Sequence, residues 1–247
     1  MAPVFCEAVL EKGRAKDGRD VCPWNELNSS FTRNLELFMD KSVVLIGESR
    51  MRHLYDYLVR VISLRDMNAP YERYHSDAHS YFEKSNVTLA FHWCPYPDDC
   101  VRNVTKSWMR TNSTPQYVIL GVGIYSAAVN VSPSPLKTFS ENLHRTFAHF
   151  SKLPSVTLIW VEILPVTRKW AYNRGRPEDR AAAIPLLKKM RTAANHIAAN
   201  HSVPVWRSAF TAAHKHRDFF TDGIHFNNNL LQKVACLLLG AIGRTNC

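Results

Sequence analysis

The chain has 247 residues, 46% of them hydrophobic and 21% charged, which excludes a disordered chain and suits one globular domain. Apolar runs such as residues 234–242 are far too short to span a bilayer, so no transmembrane segment is expected. The formal charge of +10 favours anionic partners, but Lys and Arg are scattered and no helix-turn-helix, zinc-finger or RRM pattern occurs, so a small anionic substrate is expected in preference to nucleic acid.

In chain order, residues 1–41 are polar and read as an irregular N-terminal strap with a short helix around 31–39. Residues 42–46 carry a continuous apolar run, the mark of a strand buried on both faces. Over 50–64, Met51, Leu54, Tyr55, Leu58, Val61 and Ile62 fall at helical spacing. Residues 87–93 and 117–122 are predicted as the second and third strands. A helix is predicted over 135–153, with Pro in its first turn, and a fourth strand over 156–163. A helix over 178–200 follows, which Pro185 must kink or begin. A short fifth strand over 203–206 and a closing helix over 227–242 complete the chain. Strands alternating with helices predict right-handed βαβ units. The expected fold is a three-layer α/β/α sandwich with a mostly parallel five-stranded sheet, one domain over 1–247 whose core starts at residue 42.

Six cysteines occur, Cys6, Cys22, Cys94, Cys100, Cys236 and Cys247, without a CxxC pair, so no metal is expected. Cys94 and Cys100 flank the turn CPYPDDC, which is able to close as a short disulfide loop. The other four lie towards the two chain ends, which are often close in space. Glycosylation triplets begin at Asn28, Asn86, Asn103, Asn112, Asn130 and Asn200, the Asn130 triplet being the poorest because Pro133 follows it. Together these features point to an oxidising, glycosylating lumen. No N-terminal stretch resembles a signal peptide, so the chain is expected to be a luminal piece of a longer protein.

Two stretches carry chemistry. In VVLIGESRMRHLYDYLV, residues 43–59, a buried strand passes through Gly47 into Ser49 at the head of a helix. In a parallel sheet the carboxyl ends of the strands border the crevice. A hydroxyl there is placed to attack a carbonyl while its own amide, in the first helical turn, holds the oxyanion. Taken alone, the stretch is explained more simply by Ser49 as an N-cap. In FFTDGIHFNNN, residues 219–229, Asp222 and His225 stand three apart before the last helix. The Asp is able to fix the imidazole tautomer and leave the other nitrogen for a Ser proton, although a polar turn capped by Asp222 is the plainer alternative. Both stretches on one α/β chain shift the balance to a Ser49, Asp222, His225 triad.

The pair of motifs resembles the SGNH/GDSL hydrolase superfamily, in which GDS opens the domain and DxxH closes it. On that resemblance Ser49 is the nucleophile, Asp222 the orienting acid and His225 the general base. Within the superfamily, GESRMRHLYDYLV is similar to the GDSRxRxL stretch of the sialate O-acetyltransferase (capsule O-acetylation) proteins of the PC-esterase group. The start CEAVLEKGR, then FHWCPYPDDC with Trp108, VILGVG, TLIWVEILPV and DGIHF resemble that family in the same order. Glu48 replaces the family Asp, a residue expected to be structural. The superfamily's oxyanion Asn and second Gly are missing: Gly121, Val122 and Gly123 stand at the GxN position, and no Gly lies between Gly47 and Gly121. The oxyanion is therefore expected to be held by the Ser49 amide, an amide near Gly123 and the Arg52 guanidinium, which matches the family's second Arg. Arg50 is expected to be a solvated surface residue.

The resemblance implies an O-acetyltransferase: acetyl-CoA as donor, sialic acid or CMP-sialic acid as acceptor, no metal, and a place in the Golgi or secretory lumen as part of a membrane acyltransferase. A glycan esterase using the same triad with water, or a non-catalytic glycan-binding domain, are the alternatives. His53 and the remaining histidines lack ligand spacing with a carboxylate and are expected at the surface or in the core. Trp93, Trp108, Tyr125 and Trp160 are placed to wall a sugar or acyl pocket, with core packing the default for each.

Overall fold

The computed structural model describes residues 6–14, 19–36, 38–63, 75–111, 113–128, 133–167, 169–170 and 177–243, the side chains of 177–182 excepted. Its centre is β1 (Ser42–Gly47), SVVLIG, an unbroken apolar strand. Val43 and Leu45 enter one hydrophobic core and Val44 and Ile46 the other, because successive side chains of a strand point to opposite faces. A strand buried on both faces needs layers of helices above and below, and both are present.

The sheet has six strands in the order β2-β3-β1-β4-β5-β6. These are β2 (Ala78–Phe82), β3 (Val87–Trp93), β4 (Tyr117–Gly121), β5 (Thr157–Val161) and β6 (Val205–Trp206). Strands β1, β3, β4, β5 and β6 run parallel, and β2 joins β3 antiparallel at the edge. The expected five-stranded sheet is thus corrected to six. Sequence reading misses β2 because AHSYF has no apolar run: an edge strand buries few side chains, and its burial only alternates between half-buried and exposed.

One face carries α1 (Glu7–Lys12), α2 (Leu27–Glu36), α3 (Ser49–Ile62), α8 (Arg207–Lys215) and α9 (Asn228–Gly243). The other carries α4 (Asp99–Thr111), α5 (Ile124–Ala128), α6 (Pro135–Phe150) and α7 (Pro177–Asn200). Pro185 lies inside α7 and does not begin it. It sits on an exposed face, where water can take the carbonyl that a Pro ring leaves unpaired. The N-terminal strap is also corrected, since α1 and α2 are regular helices against α9. The Cys22–Cys236 disulfide and a bond from Cys6 N–H to Ala241 O (2.8 Å) tie them there. Cys94 and Cys100 close the short loop expected of them, Cys6 is also disulfide-bonded, and Cys247 lies outside the described residues. Among the described residues no helix is long and apolar enough to cross a membrane.

The connection leaving β1 enters α3 on one face, whereas that leaving its neighbour β4 enters α5 and α6 on the other. Loops diverging in this way open a crevice at the carboxyl edge, between β1 and β4.

Candidate active site

Gly47 ends β1 directly opposite Gly121 on β4. A Cβ on Gly47 would lie 2.2 Å from the Gly121 carbonyl oxygen and 2.6 Å from Met51 Cγ, so only glycine fits where β1 turns into α3. Glu48, extended and buried, then caps α3: its Oε2 accepts the Arg50 N–H at 3.1 Å. The cap is therefore Glu48, and the reading of Ser49 as N-cap is overturned. Ser49 is the first helical residue, half-buried at the crevice.

Ser49 Oγ lies 2.8 Å from His225 Nε2, and His225 Nδ1 lies 2.6 Å from Asp222 Oδ2. An ionised carboxylate only accepts, so Nδ1 carries a proton, and a neutral ring presents its Nε2 lone pair to Ser49. The turn that aims this ring is tightly specified. Asp222 Oδ1 accepts the N–H groups of Ile224 (3.1 Å) and His225 (2.9 Å), and Thr221 N–H donates to His225 O (2.9 Å). Gly223 has φ +96°, and a Cβ there would meet the Trp170 backbone N at 2.3 Å. Burial pushes the Asp222 carboxyl up, but hydrogen bonds from His225 and Ile224 and the charge of His225 outweigh it and hold it at about 2, against an ordinary 3.8.

Gly123 stands two residues beyond Gly121, as Ser49 stands two beyond Gly47, so both amides lie past the same edge of paired strands. Neither the Ser49 nor the Gly123 N–H donates to another described residue. Such a pair is available to an oxyanion.

Neither arginine sits where the sequence led us to expect. Arg50 is buried, not solvated: Nε donates to Glu48 Oε1 at 2.8 Å and Nη1 to Leu164 O at 3.0 Å, beyond the end of β5. Burial pushes the Glu48 carboxyl up, but the charge and hydrogen bonds of Arg50, with the charge of His225, bring it below the ordinary carboxylate range. Arg52 is engaged elsewhere than the expected oxyanion. Nε donates to both Asp56 oxygens (3.0 and 3.1 Å) and Nη1 to Ser76 O (3.0 Å), and the guanidinium lies over the Tyr55 and Phe91 rings. Its charge is neutralised by Asp56, and it ties α3 to the chain ahead of β2.

His53 belongs to the site although sequence spacing did not assign it. Its ring stacks on His225 with centroids 4.6 Å apart, one helical turn on from Ser49 along α3. The available signal was the i, i+4 relation to Ser49, which puts both residues on one helix face. Of the four aromatics, Trp160 and Trp108 are buried core residues. Trp93 and Tyr125 are half-buried, meet edge to face at 5.8 Å, and flank the site, because Trp93 pairs with Gly47 and Tyr125 follows Gly123. Asn28, Asn86, Asn103 and Asn200 are exposed, while Asn112 and Asn130 lie outside the described residues. Among the described residues no cluster of His, Cys, Asp and Glu could hold a metal ion.

No protein-family model matches the chain, and no curated protein matches it by sequence. Solved structures do match in fold. A GDSL-like lipase from Bacteroides thetaiotaomicron superposes with a TM-score of 0.56 at 14% identity, over 87% of this chain and 96% of that one. A lipase/acylhydrolase from Enterococcus faecalis gives 0.53 at 17% identity, over 81% and 93%. A catalytic mutant of an acetylxylan esterase from Geobacillus stearothermophilus gives 0.50 at 11% identity, over 82% and 94%. At these identities the likeness establishes a shared fold.

Proposed function

We propose that this chain is a serine acyl-transfer enzyme of the SGNH type, which moves an acetyl group through Ser49 onto a sugar hydroxyl. The observation that carries the proposal is the hydrogen-bonded line from Ser49 Oγ through His225 to Asp222 at the crevice between β1 and β4. His225 Nε2 takes the Ser49 proton as Oγ adds to the acetyl carbonyl. The tetrahedral oxygen meets the Ser49 and Gly123 amides, and the imidazolium returns its proton to the leaving group. The acceptor hydroxyl then gives its proton to His225 Nε2 as it attacks acetyl-Ser49, and the imidazolium returns that proton to Ser49 Oγ as the acetyl sugar leaves.

Acetyl-CoA is the proposed donor, and sialic acid or CMP-sialic acid the proposed acceptor. The resemblance of GESRMRHLYDYLV to the sialate O-acetyltransferases supports this, as does the +10 charge, since both cosubstrates are anionic. The half-buried Trp93 and Tyr125 rings beside the site suit the apolar face of a sugar. The Cys22–Cys236 and Cys94–Cys100 disulfides fit a Golgi or secretory lumen, where the chain would serve as part of a membrane acyltransferase.

A second reading, a glycan O-acetyl esterase in which water accepts the acetyl group, is favoured by the fold neighbours, which are named as acylhydrolases and an acetylxylan esterase. Incubation with acetyl-CoA, with and without CMP-sialic acid, separates the two when mass spectrometry follows sugar and Ser49 together. An acetylated sugar that vanishes in Ser49→Ala is the expected result. Acetate release that is equal with and without sugar establishes the esterase. Neither product from folded chain overturns acetyl-CoA as a direct donor to this domain.

A further inference from the structure

The Ser49 hydroxyl has one proton and two acceptors within reach. His225 Nε2 lies 2.8 Å away on one side, and on the other Ser49 Oγ–H is placed to donate to Glu48 Oε2 at 3.1 Å. Glu48 is ionised and buried, so Oε2 only accepts. The proton on Ser49 therefore reports the proton count of the imidazole. When His225 carries two protons, Nδ1–H is held by Asp222 and Nε2–H points at Ser49 Oγ, which leaves the Ser49 proton to Glu48 alone. When Nε2 gives its proton to solvent, the Ser49 hydroxyl turns to Nε2 and is ready for attack, while Glu48 keeps the Arg50 N–H.

We propose that Glu48 is the acceptor of the Ser49 proton when the imidazole is doubly protonated, and that its carboxylate favours this inactive arrangement and thereby sets the acid limit of the site. The inference rests on Ser49 being the nucleophile. Glu48 contacts the nucleophile directly, which goes beyond the structural role expected for it. Charged and titratable groups face the imidazole from three elements: Asp222 on its own turn, His53 stacked on it from α3, and Glu48 with its partner Arg50 across Ser49. Through Ser49 Oγ, the 3.1 and 2.8 Å contacts place Glu48 Oε2 no more than about 6 Å from Nε2, within range for the carboxylate to favour a charged imidazole. Neither Asp222 nor His53 changes when Glu48 is replaced, so the effect is separable from theirs.

The test is the pH dependence, between about pH 4 and 8, of the rate at which a fluorophosphonate labels Ser49, read by mass spectrometry of the intact chain. In Glu48→Gln the acid limb of the rate should move about one unit lower than in wild type. Glu48→Asp keeps a carboxylate for Arg50 and so protects the fold, but its arm is one methylene shorter and withdraws from Ser49. Its limb should move in the same direction by less. A purely structural Glu48 would lower the rate or the melting temperature without moving the limb. Labelled chains whose limb stays in place in both variants, or moves up, overturn the proposal. A folded wild-type chain that the reagent never labels at Ser49 overturns the nucleophile itself, and this inference with it.

Discussion

At the residue scale, the site depends on protons whose positions the hydrogen bonds dictate. Asp222→Asn keeps the shape of the turn but loses the acceptor that fixes the imidazole tautomer. We expect kcat on an acetyl ester to fall by about 10³- to 10⁴-fold with KM little changed, measured by steady-state kinetics. The same carboxylate contributes to stability with a definite sign. Its folded value, about 2, lies below the ordinary 3.8, so its contribution is complete above about pH 4 and is lost as pH falls through 2. Thermal melts should therefore show wild type above Asp222→Asn at pH 5, with the gap closing towards pH 2. Ser49, Asp222 and His225 were legible because GES after an apolar run and DxxH before the last helix are local patterns. Arg50, Arg52 and His53 were not. Whether a charged side chain meets water, a carboxylate or another ring depends on what the fold brings beside it, as the carbonyls of Leu164 and Pro165 are brought to Arg50.

At the element scale, the junction of β1 with α3 leaves no room for a side chain. Gly47→Ala would drive its Cβ into the Gly121 carbonyl 2.2 Å away, across the β1–β4 pairing that aligns Ser49 with Gly123. We expect a loss of about 3 kcal/mol or more in chemical denaturation, or failure to fold. The two defined disulfides should differ in worth. Cys22–Cys236 spans 214 positions and Cys94–Cys100 only 6. In the chain-entropy account, replacing the first pair with Ser should cost about 5 kcal/mol and the second about 2, again by denaturant titration. Equal losses would mean that the long loop is already constrained when unfolded, for example by the bond at Cys6. Strands β1 and β4 were legible because burial on both faces demands continuous apolar residues, and β3 because most of its positions are apolar. The ends drifted by a residue or two where pairing, not composition, terminates the strand: β5 keeps only Thr157–Val161 of the predicted 156–163. β2 escaped because an edge strand buries few side chains, and the helical strap because its partner α9 is supplied from far along the chain.

At the scale of the whole molecule, an excess of ten positive charges should act on any anionic substrate through long-range attraction. If CMP-sialic acid is the acceptor, kcat/KM for it should fall several-fold between about 0.05 and 0.5 M salt, while hydrolysis of a neutral acetyl ester stays nearly constant. Equal salt responses would assign the basic surface no part in capture. The strand order β2-β3-β1-β4-β5-β6 places β1 in the interior of the sheet, with its exit loop and that of β4 diverging to opposite faces. That order makes a crevice of the carboxyl edge and brings the turn at residues 222–225 to a serine 176 positions earlier. The sequence by itself pointed to the α/β class, to Ser49, His225 and Asp222 as residues that meet, and to the local disulfide loop, because apolar periodicity, a strand-to-helix turn and a three-residue Asp–His spacing are short-range properties of the chain. Only the tertiary structure decided that Glu48 rather than Ser49 caps α3, that Arg50 is the buried partner and Arg52 the bridge to Ser76, and that His53 lies on His225. Each of those depends on which distant groups compete for one donor, acceptor or ring face, and that competition exists only once the chain has folded.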